Sequence, residues 1–100
     1  ELKFENIKKV IIWGAGDTSR NIINDSFILK KYNIKIDFIV DSDLKMQEKK
    51  ICGLSVKQPK SVLKSEDPII IASTSAYKEI QSYLNSIGVA KNRILDGIYF

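Results

Sequence analysis

The sequence contains no histidine and a single cysteine, Cys52. The lack of histidine removes the commonest general base, the commonest zinc ligand and every Ser-His or Cys-His nucleophile arrangement. One cysteine cannot form a disulfide within the chain, which is typical of proteins from a reducing compartment. We therefore expect a cytoplasmic protein with no metal site and no catalytic residue of its own, in which Cys52 is a small buried residue.

Long hydrophobic runs are also missing, and no apolar stretch approaches the roughly 20 residues that cross a bilayer. We also expect no secretory signal sequence. The chain of 100 residues, 44% of them hydrophobic and 28% charged, has the composition of one soluble globular domain. Because it begins at Glu1 rather than at a methionine, and ends on the apolar segment 98–100, we expect residues 1–100 to be a single domain of a longer protein. That protein would also carry a fused catalytic domain.

Positive charge is present but dispersed. The formal net charge is +4, and several of the lysines fall in separate pairs at 8–9, 30–31 and 49–50. Nucleic-acid-binding surfaces usually combine a dense basic run with interleaved aromatic residues. The lysine pairs are better explained as a solvated surface, so we expect no nucleic-acid partner.

Apolar runs predict the strands of a parallel sheet. Residues 10–13 (VIIW) and 69–72 (IIIA) are continuously apolar, as in strands covered on both faces. Residues 34–40 alternate and then become apolar, which predicts a strand that ends at Asp41. Residues 51–56 predict a short strand entered through a bend at Gly53, and residues 93–95 predict the last strand.

Helical spacing links these strands. It predicts one helix from Thr18 to about Tyr32, closed by a left-handed Asn33. Pro59 begins a small helix with Val62 and Leu63 facing inward. The segment 42–50 reads as a loop or one helical turn, and residues 76–87 form the clearest amphipathic helix, closed by Gly88. Residues 2–6 are a lead-in.

Right-handed crossovers between these elements give a three-layer α/β, doubly wound parallel sheet of about five strands. The predicted strand order is 3-2-1-4-5. The crevice of such a sheet opens between strands 1 and 4, where residues 14–19 and 73–75 follow the strand ends.

The first crevice loop has a partial G-x-G-x-x-G pattern, with Gly14 and Gly16 in place and Ser19 at the third position. Gly14 allows a tight turn after the strand, and Gly16 lets an anion approach the N–H groups at a helix start. The loop, completed by Ala15, Asp17 and Thr18, is a candidate phosphate site. The structural alternative is a strand-to-helix turn with no ligand, which Asp17 favours because its charge satisfies the helix dipole and repels phosphate.

Three further residues complete the candidate site. Asp41 ends the second strand a little over 20 residues after the loop, where a carboxylate accepts hydrogen bonds from ribose hydroxyls. Its alternative role is a cap at the strand end. Ser73 and Thr74 either contact a ligand or cap the following helix. The Tyr-x-x-x-Lys pair of short-chain dehydrogenases is absent, which agrees with a domain that is not catalytic alone.

These segments resemble one group of domains across nearly the whole chain. The resemblance rests on VIIWGAGDTS (10–19), DFIVDSD (37–43), ICGLSV (51–56), IIIAS (69–73) and EIQSYLNSIG (79–88). They are similar to the small Rossmann-like domains of bacterial surface-polysaccharide enzymes, which are fused to sugar O-acyltransferases, nucleotide-sugar dehydratases, glycosyltransferases or FkbM-type methyltransferases.

The resemblance implies a nucleotide-binding accessory domain of an enzyme that makes capsule or lipopolysaccharide. It implies a site for NAD(P) or a nucleotide sugar at Gly14, Gly16 and Asp41, closed by residues 73–75. Ser19 and Asp17 depart from the pattern of the best dinucleotide binders. The alternative function is a non-catalytic domain with no ligand that positions its fused partner or forms a homo-oligomer.

Overall fold

A computed structural model describes residues 4–100. They form one six-stranded sheet with helices on both faces. The strands are β1 (Lys9–Trp13), β2 (Lys35–Val40), β3 (Lys50–Ile51), β4 (Leu54–Lys57), β5 (Ile69–Ile71) and β6 (Ile94–Asp96). The α-helices are α1 (Asp17–Asp25), α2 (Phe27–Lys31) and α3 (Tyr77–Ser86), and 3-10 helices occupy Phe4–Asn6, Pro59–Lys64, Lys91–Arg93 and Gly97–Tyr99.

The strand order is β3-β4-β2-β1-β5-β6. Every neighbouring pair from β4 to β6 is parallel, and β1 lies at the centre between β2 and β5. The five parallel strands thus reproduce the predicted order 3-2-1-4-5, with β4, β5 and β6 as the third, fourth and fifth strands. The fold class is the predicted Rossmann-like α/β sheet.

The predicted bend at Gly53 is a hairpin that adds a sixth strand. β3 pairs antiparallel with β4, and the turn between them places Cys52 at φ 52° and Gly53 at φ 81°. The burial expected for Cys52 is wrong, because its side chain is exposed at this turn. A small apolar residue was expected inside, but the left-handed turn directs it outward.

The predicted helix over 18–32 is also interrupted. Ser26 has an extended backbone, and its hydroxyl accepts a hydrogen bond from Leu29 N–H at 3.2 Å, so Ser26 ends α1 and caps α2. The break turns Phe27 outward, where 70% of its surface is exposed. The left-handed conformation predicted for Asn33 is confirmed by its φ of 52°.

The core lies on both faces of the sheet. One face packs beneath α1, α2 and the β3–β4 hairpin, and includes Val10, Ile12, Ile22 and Ile39. The other packs beneath α3 and the 3-10 helix Pro59–Lys64, with Val62 and Leu84 fully buried. The inward orientation predicted for Leu63 is wrong, because the 3-10 geometry leaves half of its surface exposed.

The remaining boundaries agree with the predictions to within a few residues. The segment 42–50 is a loop of turns that leads into β3. In the predicted lead-in, Phe4–Asn6 is a 3-10 helix, whereas residues 2 and 3 lie outside the described part of the chain. From residue 4 onward, no helix combines the length and apolar character required to span a membrane.

Candidate functional site

The loop after β1 begins with a backbone turn that requires glycine. Gly14 has φ 116°, and its N–H donates to the Val40 carbonyl at 2.8 Å. The Ala72 carbonyl oxygen lies 3.6 Å from the position a Gly14 Cβ would take. The loop after β1 therefore runs directly against the ends of β2 and β5, and this is the crevice that the strand order predicts.

Gly16 is the residue at which α1 starts. It serves as the N-cap, no side chain caps this helix end, and no atom lies within 4 Å of where a Gly16 Cβ would be. The first N–H groups of a helix have no partner within the helix, and here no side chain caps them. Asp17 and Thr18, the first residues of α1, are exposed beside this opening. The arrangement suits an anion at the helix N-terminus.

The Ser19 side chain is buried and bonds to the backbone of the loop. It is 1% exposed, and its hydroxyl donates a hydrogen bond to the Gly14 carbonyl. The third position of the glycine pattern normally holds a small residue so that helix and strand pack closely. Ser19 fits that position and adds a bond that fixes the Gly14 turn, so its hydroxyl is not presented to the crevice.

Asp41 follows β2 and holds the loop from the other side. One carboxylate oxygen accepts from Ala15 N–H at 2.9 Å, and the other accepts from Asp43 N–H at 2.8 Å. The Asp41 carbonyl accepts from the Gln47 side-chain amide at 3.0 Å. Asp41 therefore binds the backbone of the predicted glycine loop. It has the capping role at the strand end that was its alternative to ribose binding. Each carboxylate oxygen retains a further lone pair for a ribose hydroxyl.

The loop after β5 is more open. Ser73 is half-buried, and its hydroxyl oxygen accepts from Ala76 N–H at 3.2 Å ahead of α3. Thr74 and Ser75 are exposed. All the predicted site residues therefore lie along one edge of the sheet. Ser73 bonds within the turn that precedes α3, whereas the helix itself has Ala76 as its N-cap and no side-chain cap.

A groove on the α3 side of the same edge was not predicted. Its volume is about 440 Å³, and its walls are mainly apolar. It is lined by Trp13, Ser42, Pro59, Ala76, Glu79, Ile80 and Tyr83. Trp13 is buried as predicted, yet its ring forms a wall of this groove, with its centroid 5.8 Å from that of Tyr83.

Two signals in the sequence point to this groove. Trp13 immediately precedes Gly14, and Glu79 and Tyr83 are four residues apart, which places them on one face of α3. The helical periodicity identified Tyr83 only as a buried position. Glu79 and Tyr83 lie near the start of α3, and in the structure both line the groove beside the crevice.

At the start of α3, the phenol of Tyr77 lies near the end of β6. Partial burial, with the charges of Asp96 and Tyr99, raises the pKa of Tyr77 above its ordinary value of 10.0. Gly97 passes so close to the Ile71 carbonyl that a Cβ would lie 2.5 Å from the oxygen. The chain after β6 therefore packs tightly over the end of β5. No cluster of three metal-ligating side chains occurs within residues 4–100.

Solved structures with this fold have known ligands. The chain is similar to the UDP-D-quinovosamine 4-dehydrogenase of Vibrio fischeri, with 21% identity and a TM-score of 0.64, over 90% of this chain and 77% of the dehydrogenase. It is also similar to RSP, a Rex-family repressor, with 16% identity and a TM-score of 0.67, over 93% of this chain and 53% of RSP. RSP in complex with β-NAD⁺ and operator DNA aligns at 17% identity with a TM-score of 0.66, over 90% of this chain and 49% of that one.

These similarities show the Rossmann-like fold. The chain spans about half the length of the repressor. A search of curated proteins finds none with a significant match. Residues 6–95 match the family described as C2185-like, N-terminal, and the chain belongs to that family.

Proposed function

We propose that this member of the C2185-like N-terminal family binds a nucleotide or nucleotide sugar at the carboxyl edge of its sheet. In this proposal it is an accessory domain of a bacterial enzyme that makes or modifies a surface glycan. The domain itself carries out no reaction. Its ligand is NAD(P) or a nucleotide sugar, and chemistry belongs to a fused catalytic domain.

The observation that carries the proposal is the α1 N-terminus. Its N–H groups lack a side-chain cap, and the space beside Gly16 is empty of protein atoms. A helix N-terminus of this kind stabilises an anion through its N–H groups and its dipole. The phosphates of a nucleotide supply such an anion, with the Gly14 turn already held in place by Ser19 and Asp41.

Asp41 supplies the second contact. In Rossmann-like folds, an acidic residue at this position accepts hydrogen bonds from the ribose of the ligand. Its bond to Ala15 N–H keeps the carboxylate at the crevice beside the phosphate loop. Asp41 would therefore position the ribose and the phosphate loop together.

The glycan context rests on resemblance. The sequence segments quoted above resemble domains of surface-polysaccharide enzymes, and one protein of similar fold is named for a UDP-sugar, UDP-D-quinovosamine. The RSP repressor was solved with β-NAD⁺ and with β-NADH. The UDP-sugar in the name of the dehydrogenase and the NAD bound to the repressor both support a nucleotide ligand. These compounds are the ligands to be tested first.

Calorimetry and thermal shift test the proposal with NAD, NADP, UDP-sugars, CMP-sugars, CoA and S-adenosylmethionine. We expect saturable binding of at least one compound. Asp41→Ala should weaken that binding by about 1.5–3 kcal/mol, the usual scale for losing a charged hydrogen-bond partner. Asp41→Asn removes the charge and keeps one acceptor oxygen, so at most one of the bonds from Ala15 N–H and Asp43 N–H survives.

Gly16→Val gives an independent test at the phosphate. The valine side chain would occupy the open space at the helix start, so phosphate binding should be lost while the protein stays folded. The matched control is Gly53→Asn, a substitution at the hairpin turn, where a left-handed asparagine is tolerated. Unchanged affinity in Gly16→Val would show that the loop is only a turn.

A second candidate function is an interaction domain without a ligand. Two observations favour it: both carboxylate oxygens of Asp41 already serve the protein backbone, and Ile98 and Tyr99 are 67% and 73% exposed. In that case none of the compounds binds, and sedimentation shows a homo-oligomer or a complex with the rest of the protein.

A further inference from the structure

We infer that the groove beside α3 holds the base of the nucleotide and that Glu79 selects a base with an exocyclic amino group. Cytosine and adenine are such bases, whereas uracil and hypoxanthine have a keto group in that place. The inference rests on the proposed function, because it assigns a second part of the same ligand to a second part of the same edge.

The residues that line the groove are next along the chain to those of the candidate phosphate and ribose sites. Trp13 immediately precedes Gly14, Ser42 immediately follows Asp41, and Ala76 bonds to Ser73. A ligand whose phosphate lies at the α1 N-terminus and whose ribose lies at Asp41 therefore reaches this groove with its next group. In a nucleotide that group is the base.

The walls suit a flat aromatic ring. Trp13 and Tyr83 form an edge-to-face pair, with an interplanar angle of 66°, and Pro59 and Ile80 add apolar surface. Aromatic and aliphatic walls of this kind bind bases through stacking and burial of apolar area. The volume of about 440 Å³ lies within the usual range for small-molecule pockets.

Polar side chains of the groove supply the specificity. Glu79, Ser42 and Tyr83 carry oxygen atoms in their side chains among the lining residues, and Glu79 is the charged one. A carboxylate accepts hydrogen bonds and cannot donate them, so it pairs with the amino group of cytosine and repels the keto oxygen of uracil. The hydroxyl of Tyr83, like that of Ser42, can donate or accept, so both tolerate either base.

The negative charge of Glu79 agrees with this assignment. Glu79 is the charged residue among those that line the groove. A ligand with amino groups on its base meets Glu79 favourably, whereas one with a second anionic group in the groove would be repelled. The groove therefore takes the base and excludes a further phosphate.

Calorimetric titration with two matched pairs of nucleoside diphosphates tests the inference. CDP and UDP differ at the pyrimidine amino or keto group, and ADP and IDP differ in the same way at the purine. We expect CDP to bind about tenfold more tightly than UDP, and ADP about tenfold more tightly than IDP. Trp13 is the only tryptophan in the sequence, so its fluorescence should change on binding of either preferred compound.

Glu79→Gln identifies the residue responsible. A carboxamide both donates and accepts, so this variant should reduce each preference to less than about twofold while the protein stays folded. Glu5→Gln, at an exposed acid in the 3-10 helix that precedes β1, is the matched control and should keep the wild-type preference.

Each outcome separates the two proposals. Equal binding within both pairs overturns the inference and leaves the nucleotide site in place. A preference that persists in Glu79→Gln, or binding without a change in Trp13 fluorescence, overturns the role given to Glu79 or to the groove. If none of the four diphosphates binds while another nucleotide does, the inference also fails. If no nucleotide binds at all, the proposed function fails.

Discussion

Two loops lie side by side at the carboxyl edge of the sheet, and different forces hold them. The loop after β1 is fixed by the left-handed Gly14 turn and by two hydrogen bonds. The buried Ser19 hydroxyl donates to the Gly14 carbonyl, and Ala15 N–H donates to the Asp41 carboxylate. The loop after β5 has one side-chain bond, from Ala76 N–H to Ser73, and its next two residues are exposed. A rigid loop suits the fixed geometry of a phosphate, whereas an open loop can close over a ligand.

Amide hydrogen exchange rates should show the largest difference, between the central strands and the second loop. The N–H groups of residues 10–13 and 69–71 lie in buried central strands, so they should exchange orders of magnitude more slowly than those of 73–75. Mass spectrometry or NMR measures the rates. Fast exchange in either strand would contradict the topology.

Substitution of the two loop glycines should separate their roles. Gly14→Val forces a β-branched residue to φ 116°, so we expect the free energy of unfolding to fall by about 2–3 kcal/mol. Gly16→Val at the helix N-cap should cost less than about 1 kcal/mol, because its backbone is extended and its surroundings are open. Urea denaturation of both variants checks the difference, and equal losses would contradict it.

Removal of the Ser19 hydroxyl tests the fixation of the first loop. Ser19→Ala leaves the Gly14 carbonyl without this donor in a buried setting, so stability should fall by about 1–2 kcal/mol. The matched variant Thr18→Ala removes an exposed hydroxyl one residue earlier and should change stability by less than about 0.5 kcal/mol. Thermal and urea unfolding give both values. A Ser19→Ala protein as stable as the wild type would show that the bond is dispensable.

The same test on the second loop should give a smaller effect. Ser73→Ala removes the acceptor of Ala76 N–H, and we expect a loss of about 0.5–1 kcal/mol, since the Ser73 side chain is only half-buried whereas that of Ser19 is buried. Ser75→Ala, two residues later and exposed, serves as its control. If Ser73→Ala cost more than Ser19→Ala, the order of rigidity between the loops would be reversed.

High pH should destabilise the fold through Tyr77, the first residue of α3. The pKa of Tyr77 is raised in the folded protein, so the folded state keeps its phenol proton as pH rises through the unfolded value near 10. Stability should therefore decrease above about pH 10, and Tyr77→Phe should reduce that decrease. Unfolding curves measured at pH 9 and at pH 10.5 compare the two proteins, and identical pH dependence would contradict the prediction.

The sequence alone determined the framework of this protein. The continuous apolar runs predicted β1 and β5, the turn residues predicted the left-handed Asn33 and the Gly14 turn, and crossover rules predicted the strand order. Local patterns carry this information. A strand buried on both faces requires a continuous apolar run, and a positive φ angle favours particular residues such as glycine.

Only the tertiary structure decided where several side chains lie. Asp41 accepts from Ala15 N–H across 26 positions of sequence, and Trp13 of β1 packs against Tyr83 of α3 in the groove that Glu79 also lines. The exposure of Cys52 depends on how the hairpin projects from the sheet. Such contacts join distant segments whose own patterns are satisfied by several arrangements. The sequence therefore predicted which residues lie at the carboxyl edge of the sheet, but not the groove beside them.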